Sequence, residues 1–214
     1  GRFPTLSQLY SSKSGNTGLK SERSLNTTAS VSHPVGAGVR LDLGGFYYDV
    51  TDMITRNGSN ATNAYLNVGE VKMAGFEVAA EATPVAGLTL RADYTFVDAK
   101  DASAVRVTEN VTNVPRHKAG FFASYTVPGP KTLLDLDAIW LGSMYSGLPS
   151  VVYPTDPVKR VDGYFLVGAK VTQEVVKGVR LYVSGRNLLD EDYESEAGFP
   201  GVGRTFSFGA SATF

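Results

Sequence analysis

Every second residue at the end of the chain is apolar. From Thr205 to Phe214 the even positions are Phe206, Phe208, Ala210, Ala212 and Phe214, and the odd positions are Thr205, Ser207, Gly209, Ser211 and Thr213. A period of two sends successive side chains to opposite faces of a strand. This strand therefore carries one apolar face and one small, polar face. The pattern recurs upstream. Leu88, Leu90, Ala92, Tyr94 and Phe96 oppose Arg91 and Asp93. Phe76, Val78, Ala80 and Ala82 oppose Glu77 and Glu81, and Leu134, Leu136, Ala138 and Trp140 oppose Asp135 and Asp137. Ala119, Phe121, Ala123 and Tyr125 oppose Lys118 and Ser124. Phe165, Val167, Ala169 and Val171 oppose Lys170 and Thr172, and Val179, Leu181 and Val183 oppose Arg180 and Tyr182. No segment has a convincing helical period. The expected fold class is all-β and antiparallel.

A soluble sandwich also alternates, so the connections decide. Short connections rich in Pro and Gly run from Pro34 to Gly38, Thr83 to Gly87, Val127 to Lys131 and Glu174 to Gly178. Longer polar ones run from Asp49 to Lys72, Asp98 to Pro115, Tyr145 to Arg160 and Leu188 to Gly203. Short and long alternate strictly, as periplasmic turns and extracellular loops do in outer-membrane barrels. The expectation is about nine strands, over 22–33, 39–49, 72–82, 88–98, 117–126, 132–145, 161–173, 179–187 and 203–214. Each is on the order of ten residues, enough to cross a bilayer at a tilt. No run of roughly 18 apolar residues exists, so a membrane-spanning helix is excluded. A closed barrel is then the one remaining way to span lipid with every backbone polar group paired. Bacterial single-chain barrels have an even strand number. The odd count, and a start at Gly1-Arg2-Phe3-Pro4 without Met, lead to the expectation that further strands precede residue 1.

Composition narrows the function classes. The net charge is −1 and no basic stripe is present, so no nucleic-acid partner is expected. The chain has no Cys, which removes disulfides, thiolate metal sites and cysteine nucleophiles. Its two His, His33 and His117, lack partners at metal-ligand spacing. The acidic run Asp190, Glu191, Asp192, Glu194 and Glu196 reads as a solvated loop, with a calcium site as the alternative. No Ser/His/Asp order, phosphate loop or metalloprotease helix appears, so neither enzyme activity nor a cofactor is expected.

The charges opposite the apolar face are Arg40, Asp42, Glu77, Glu81, Arg91, Asp93, Asp135, Asp137, Lys170, Arg180 and Arg186. They read as the lining of a polar lumen, because the other face is too apolar for water on both sides. Ligand contacts are expected from the outer loops and barrel mouth. Chosen by position and chemistry, the candidates are Tyr65, Tyr145, Tyr153, Arg160, Tyr193 and Phe199. The aromatics Tyr47, Tyr94, Phe96, Tyr125, Trp140 and Tyr145 lie near strand ends, either as interfacial girdles or through strand propensity alone.

Several segments resemble the C-terminal half of TonB-dependent outer-membrane receptors of the siderophore and cobalamin type. Arg2-Phe3-Pro4-Thr5-Leu6-Ser7-Gln8-Leu9-Tyr10 resembles the family's F-P-T-L-x-E-L-Y, with Gln8 at the acid position. Gly15-Asn16-Thr17-Gly18-Leu19-Lys20-Ser21-Glu22-Arg23-Ser24 resembles G-N-P-x-L-K-P-E-x-S, with Thr17 and Ser21 in place of prolines. Asn67-Val68-Gly69 followed by Gly75-Phe76-Glu77 is similar to N-x-G … G-x-E. Asn113-Val114-Pro115-Arg116-His117 is similar to N-x-P-x-H, and Asn187-Leu188-Leu189-Asp190-Glu191-Asp192-Tyr193 to N-L-L/F-D-x-x-Y. Gly203-Arg204-Thr205-Phe206 resembles the family's closing strand. The end of the chain, with Gly209 and the terminal Phe214, resembles the barrel-assembly signal, with Ala212 where a larger apolar residue is usual.

The resemblance implies that residues 1–214 are the C-terminal part of a receptor barrel of about 22 strands with a plugged lumen. It implies a plug against the inward charges and coupling to a TonB-type protein through that plug. The barrel-assembly machinery would read the C-terminal strand, and lipid of a Gram-negative outer membrane would surround the barrel. The cargo would be a small metal chelate or a vitamin. Two other readings stay open at this point. One is a stand-alone barrel of about eight to ten strands, acting as a passive pore or structural protein. The other is a soluble all-β binding module with one face against a second sheet.

Overall fold

The computed structural model describes residues 1–36, 38–56, 65–104, 106–148 and 155–213. In chain order the elements are α1 (Leu6–Tyr10), β1 (Arg23–Pro34), β2 (Val39–Arg56), β3 (Tyr65–Ala82), β4 (Leu88–Asp101), β5 (His117–Thr126), β6 (Leu133–Leu141), β7 (Met144–Gly147) and β8 (Lys159–Val161). They continue with β9 (Tyr164–Val176), β10 (Val179–Arg186), β11 (Glu194–Glu196), β12 (Phe199–Pro200) and β13 (Thr205–Ala212). Nine of the strands make one antiparallel meander in the order β1-β2-β3-β4-β5-β6-β9-β10-β13, while β7–β8 and β11–β12 form separate small hairpins. The sheet is open, with β1 and β13 as its edges. Closure by these nine strands alone, as the stand-alone barrel requires, is therefore not what the pairing shows.

Register converts the alternation into two continuous faces. On one face Phe76, Phe96 and His117 follow one another across β3, β4 and β5. Further along, Ala123, Leu136, Ala169 and Gly185 stand abreast on β5, β6, β9 and β10, and Val183 meets Phe208 on β13. The opposite face carries Arg40, Glu81, Arg91, Phe122 and Asp137 in one row. A slip of one residue anywhere would carry charges onto the apolar face.

The short connections all lie at one end, since each joins a consecutive antiparallel pair. The β9–β10 connection is two residues, Lys177 and Gly178, with Gly178 at φ 81°. Glycine adopts that positive φ without strain. Gly87 in the β3–β4 turn sits at φ 81°, and a Cβ on it would lie 2.8 Å from the Thr126 carbonyl oxygen.

The strands differ from the sequence expectation mainly at their outer ends. β2 and β3 each run 18 residues, well past the expected 39–49 and 72–82, which shortens the connection between them. At about 3.3 Å per residue they extend to nearly 60 Å, twice the hydrocarbon thickness. A bulge at Asp52, a positive-φ residue (57°), absorbs the change in register between Val50 and Met53. The expected strand over 132–145 instead stops at Leu141, and Met144–Gly147 turns away to pair with β8. One short helix, α1, was not foreseen. Thr5 caps it, its hydroxyl accepting from the Gln8 amide while the Gln8 side chain accepts from the Thr5 amide.

The sheet has no interior of its own. The accessible surface is 13814 Å², against about 9,600 Å² for a compact monomer of this mass. The buried hydrophobics among the described residues are Ile54, Val71, Met144 and Val161, and the buried polar ones are Gln8, Ser14, Ser103 and Asn187. All eight lie at the long-loop end. Phe208 is 88% exposed and Phe206 69%.

Two residues from the recognisable segments tie residues 1–22 to that end. The Glu22 carboxylate accepts two N–H groups of the Arg2 guanidinium at 2.7 Å each, and the Ile54 amide at 2.8 Å. Asn67 donates to the carbonyls of Lys20 (2.9 Å) and Asp52 (2.7 Å) and accepts from the Lys20 amide (2.7 Å). The Arg2 hydrogen bond holds the Glu22 carboxyl below the usual carboxylate range, against a smaller opposing effect of burial.

Two outcomes follow. Leu136→Arg, on the apolar face, is expected to abolish assembly in a membrane, at a cost of about 2–4 kcal/mol at mid-depth. Thr95→Arg, on the charged face beside Glu77, is expected to assemble normally, and the migration of unheated samples on gels reads both. A carboxylate with a depressed folded-state pKa stabilises above its unfolded value, about 4.3, and loses that stabilisation as pH falls through the folded value. Protection of the Ile54 amide from hydrogen exchange should therefore fall on acidification below about pH 4. Glu22→Gln should remove that pH dependence and lower protection roughly fivefold, about 1 kcal/mol, because Arg2 is half exposed.

Candidate functional site

The register places all eleven inward candidates on one face. Arg40, Asp42, Glu81 and Arg91 form a linked set. Arg40 lies 3.1 Å from Asp42 and 3.8 Å from Glu81, and Arg91 lies 2.5 Å from Glu81. These groups are open to solvent, which screens each pair. Glu77 stands between Gly44 and Thr95. Asp93 reaches over Gly120 and Asp137 over Gly168, where a Cβ would lie within 2.7 Å and 2.6 Å of their carboxylates. Asp135 accepts from the Ser124 hydroxyl at 2.7 Å and stands opposite Lys170. The Lys170 ammonium lies 4.6 Å from the Tyr182 ring centre. Arg180 stands opposite Glu174, and Arg186 opposite Thr205. Mixed signs at this density make a hydrated, interlinked wall and no ring of one charge.

The long-loop end forms a folded layer. The Asn113 amide donates to the Tyr145 carbonyl at 2.7 Å, joining the β4–β5 connection to β7. The Ser146 hydroxyl accepts from the Ala197 amide at 2.9 Å, joining β7 to the β11–β12 hairpin. At the end of β10, Asn187 has φ 48° and is 5% exposed. Its amide group donates to the carbonyls of Glu191 (2.9 Å) and Val202 (3.2 Å), and its oxygen accepts from the Glu191 amide (2.9 Å). Asp190 completes the clip with an ion pair to Arg204 at 3.1 Å. Glu194 accepts from the Gly198 amide. Two members of the acidic run are thus committed to local contacts, and among the described residues no three His, Cys, Asp or Glu side chains converge as a metal site.

Among the ligand candidates, the structure brings Tyr145 and Arg160 together. They are cross-strand partners on β7 and β8, with the guanidinium carbon 5.1 Å from the ring centre and one N–H donating to Ser143 at 3.0 Å. Phe199, 62% exposed, lies on the hairpin that Ala197 ties to β7. Tyr193 packs against Tyr164, ring centres 4.6 Å apart, and its ring covers Gly201. Tyr65 belongs with the N-terminal segment: its amide donates to the Ser14 carbonyl and its carbonyl accepts from Asn16. Tyr153 and Phe214 lie outside the described residues. Gly209 lies beneath Tyr182.

The aromatic residues divide. Phe76, Tyr94, Phe96, His117 and Trp140 form one patch on the apolar face toward the long-loop end, with neighbouring ring centres 5.4–6.3 Å apart. His117 Nδ1 lies 2.7 Å from the Tyr94 hydroxyl. Tyr125 is at the other end of β5, and Tyr145 is off the sheet on β7. Pairwise reading of strands missed this patch, because it needs the register of four strands at once. The N-x-P-x-H segment was its one available signal.

Against known proteins, the family model "TonB dependent receptor-like, beta-barrel" matches residues 1–188. The vitamin B12 transporter BtuB of Vibrio cholerae serotype O1 is 27% identical over 212 residues, covering 96% of this chain and 32% of that protein. Among solved structures, the copper transporter OprC superposes with a TM-score of 0.81 at 19% identity, over 100% of this chain and 34% of that one. The ferric-catecholate import receptor Fiu from Escherichia coli K12 gives 0.72 at 20% identity, over 98% and 30%. The chain thus spans about a third of the length of the proteins it matches. With the family model, the two-faced meander and the folded layer of long connections in agreement, the chain belongs to the TonB-dependent receptor β-barrel family.

Proposed function

We propose that this chain is the C-terminal sector of an outer-membrane receptor that imports a scarce nutrient, a ferric chelate or a cobalamin-like vitamin. The observation that carries the reading is the division of labour in the sheet. One face is apolar enough for lipid, the other is charged and hydrated, and the packed side chains gather at the long-loop end. The open edges of β1 and β13 fit a barrel of about 22 strands, completed by chain outside these residues. A plug would sit against the charged face, and a TonB-type protein would act through that plug. The barrel-assembly machinery would engage β13, and the location is the outer membrane of a Gram-negative bacterium.

Cargo is received by the folded layer. Tyr145 and Arg160 offer an aromatic face with a guanidinium stacked on it, and Phe199 offers an exposed ring on the hairpin tied to β7. Tyr65 and Tyr193 are the remaining loop candidates among the described residues. Aromatic rings suit planar or apolar portions of a chelate, and guanidinium suits its anionic oxygens.

The test is a titration of the full-length receptor with cyanocobalamin and, separately, with a ferric catecholate. One of the two is expected to bind, and Tyr145→Ala or Arg160→Ala should raise its Kd about tenfold, or 1.4 kcal/mol. Failure of both probes to bind, or unchanged affinity in both variants, overturns this assignment of cargo and contacts.

A further inference from the structure

The pair β10–β13 is fastened differently from its neighbours. Tyr182 on β10 stands opposite Gly209 on β13, and Gly185 on β10 stands opposite Phe206 on β13. A Cβ on Gly209 would lie 2.5, 2.6 and 2.7 Å from Oη, Cζ and Cε1 of Tyr182. A Cβ on Gly185 would lie 2.5 Å from Leu188 Cδ2 and 3.1 and 3.2 Å from Cε1 and Cδ1 of Phe206, so the Phe206 ring and Leu188 share that space. Each strand therefore supplies one ring and one glycine. Tyr182 and Gly209 meet on the charged face, Gly185 and Phe206 on the apolar face. A ring laid over a glycine on the neighbouring strand fills the space a side chain would take and pins register. The Lys170 ammonium, 4.6 Å from the Tyr182 ring centre, holds that ring from its other side.

The local sequence allows one solution. Along the charged face β13 reads Thr205, Ser207, Gly209, Ser211, so Tyr182 has a single glycine to cover. Along the apolar face β10 reads Val179, Leu181, Val183, Gly185, so a β13 ring likewise has one. A slip of two residues keeps the faces correct. In one direction it brings Phe208 over Gly185, but it moves Tyr182 onto Ser211; in the other it moves Tyr182 onto Ser207. Both joints are made at once only in the observed register. Phe46 over Gly75 repeats the joint between β2 and β3; on the other face Gly45 stands opposite Phe76, but that ring does not lie over it, so the joint there is single.

We infer that Tyr182–Gly209 and Phe206–Gly185 form a reciprocal lock that sets the register of β13. Given the barrel reading, that register also sets the stagger at which the barrel closes, since strand register and barrel shear are linked. The lock is independent of cargo. Tyr182 is a positioning residue, and the assembly information at the end of the chain extends back into β10.

These residues contain no cysteine, and with any cysteine elsewhere in the full-length receptor replaced by serine the introduced pairs report register cleanly. The full-length receptor is expressed with Ser184→Cys and Ser207→Cys, which are native partners. Slipped registers are reported by Ser184→Cys with Thr205→Cys, and by Arg186→Cys with Ser207→Cys. Each background is read for membrane-assembled protein and for the ratio of native to slipped cross-link. The unaltered lock is expected to give the native cross-link alone, as is Tyr182→Phe. Gly209→Ala should reduce assembled protein at least fivefold. Combined with Tyr182→Ala it should cause no further loss, because the ring it collides with is gone. Tyr182→Ala should show slipped cross-links at a tenth or more of the native signal. Tyr182→Leu, bulky but not flat, provides the same reading should the alanine variant fail to accumulate. An equal penalty for Gly209→Ala with and without the Tyr182 ring overturns the lock. So does a purely native cross-link in both Tyr182→Ala and Tyr182→Leu. Absence of cargo binding by the unaltered receptor, with the cross-links as expected, would overturn the receptor reading and leave the lock intact.

Discussion

Backbone hydrogen bonding across an unbroken meander is the constraint on which the rest depends. In lipid each N–H and C=O must find a partner within the protein. The chain meets this by pairing every strand with its sequence neighbour in the sheet, so that only β1 and β13 retain an open edge. Once the ladder is continuous, the side-chain period of two does the remaining sorting. Leu134, Leu136, Ala138 and Trp140 go to one side and Asp135 and Asp137 to the other because alternate residues of a strand face opposite ways, and the register with β5 and β9 sets like face against like. Stability therefore comes from outside the sheet on both faces, which is why so few side chains are buried and why the surface is so large for the mass.

Packing of the ordinary kind is concentrated where the ladder ends. β2 and β3 rise beyond the membrane-crossing length, and the extra strand gives residues 1–22 a surface to dock on. Glu22 and Asn67 act there as junctions: the Glu22 carboxylate accepts the Ile54 amide beside the bulge together with the Arg2 guanidinium, and the Asn67 side chain pairs with backbone groups of Lys20 and Asp52. Asn187 does the same for the connection after β10, taking a positive φ that asparagine tolerates better than most residues. The residues that carry the family resemblance are thus fasteners of loops to strands.

Much of the sheet was legible in the sequence because its signal is local and repeated. Each strand could be read from about ten residues, and each face from their parity. The charged face was legible for the same reason, since Arg91 and Glu81 fall on it by counting alone. What could not be read was anything that depends on several strands together. The extension of β2 and β3 beyond Asp49 and Lys72 is hidden, because past the membrane neither face must be apolar and the alternation fades. The departure of Met144–Gly147 from β6 is hidden likewise, since Tyr145 continues the aromatic character of Trp140 although Gly142 and Ser143 break the ladder. α1 is a five-residue helix held by one capping box, too short to show a period. The loop candidates were chosen by chemistry alone. Tyr145 and Arg160 meet, whereas Tyr193 is occupied in packing against Tyr164.

The asymmetry between the two ends of the sheet bears on how such a chain can change. At the end with the short turns, the tightest of them the two residues Lys177–Gly178, an inserted residue has little room. It would shift the register of every later strand and so alter the geometry of the whole wall. At the other end, the stretches between β4 and β5 or between β6 and β9 already hold more chain than the crossing requires. Insertions and deletions there are absorbed before they reach the ladder. Length variation is thereby channelled to the outward side, where new surface meets new molecules, and is filtered out on the inward side. A lineage of such proteins can exchange its recognition surface repeatedly while inheriting the same wall.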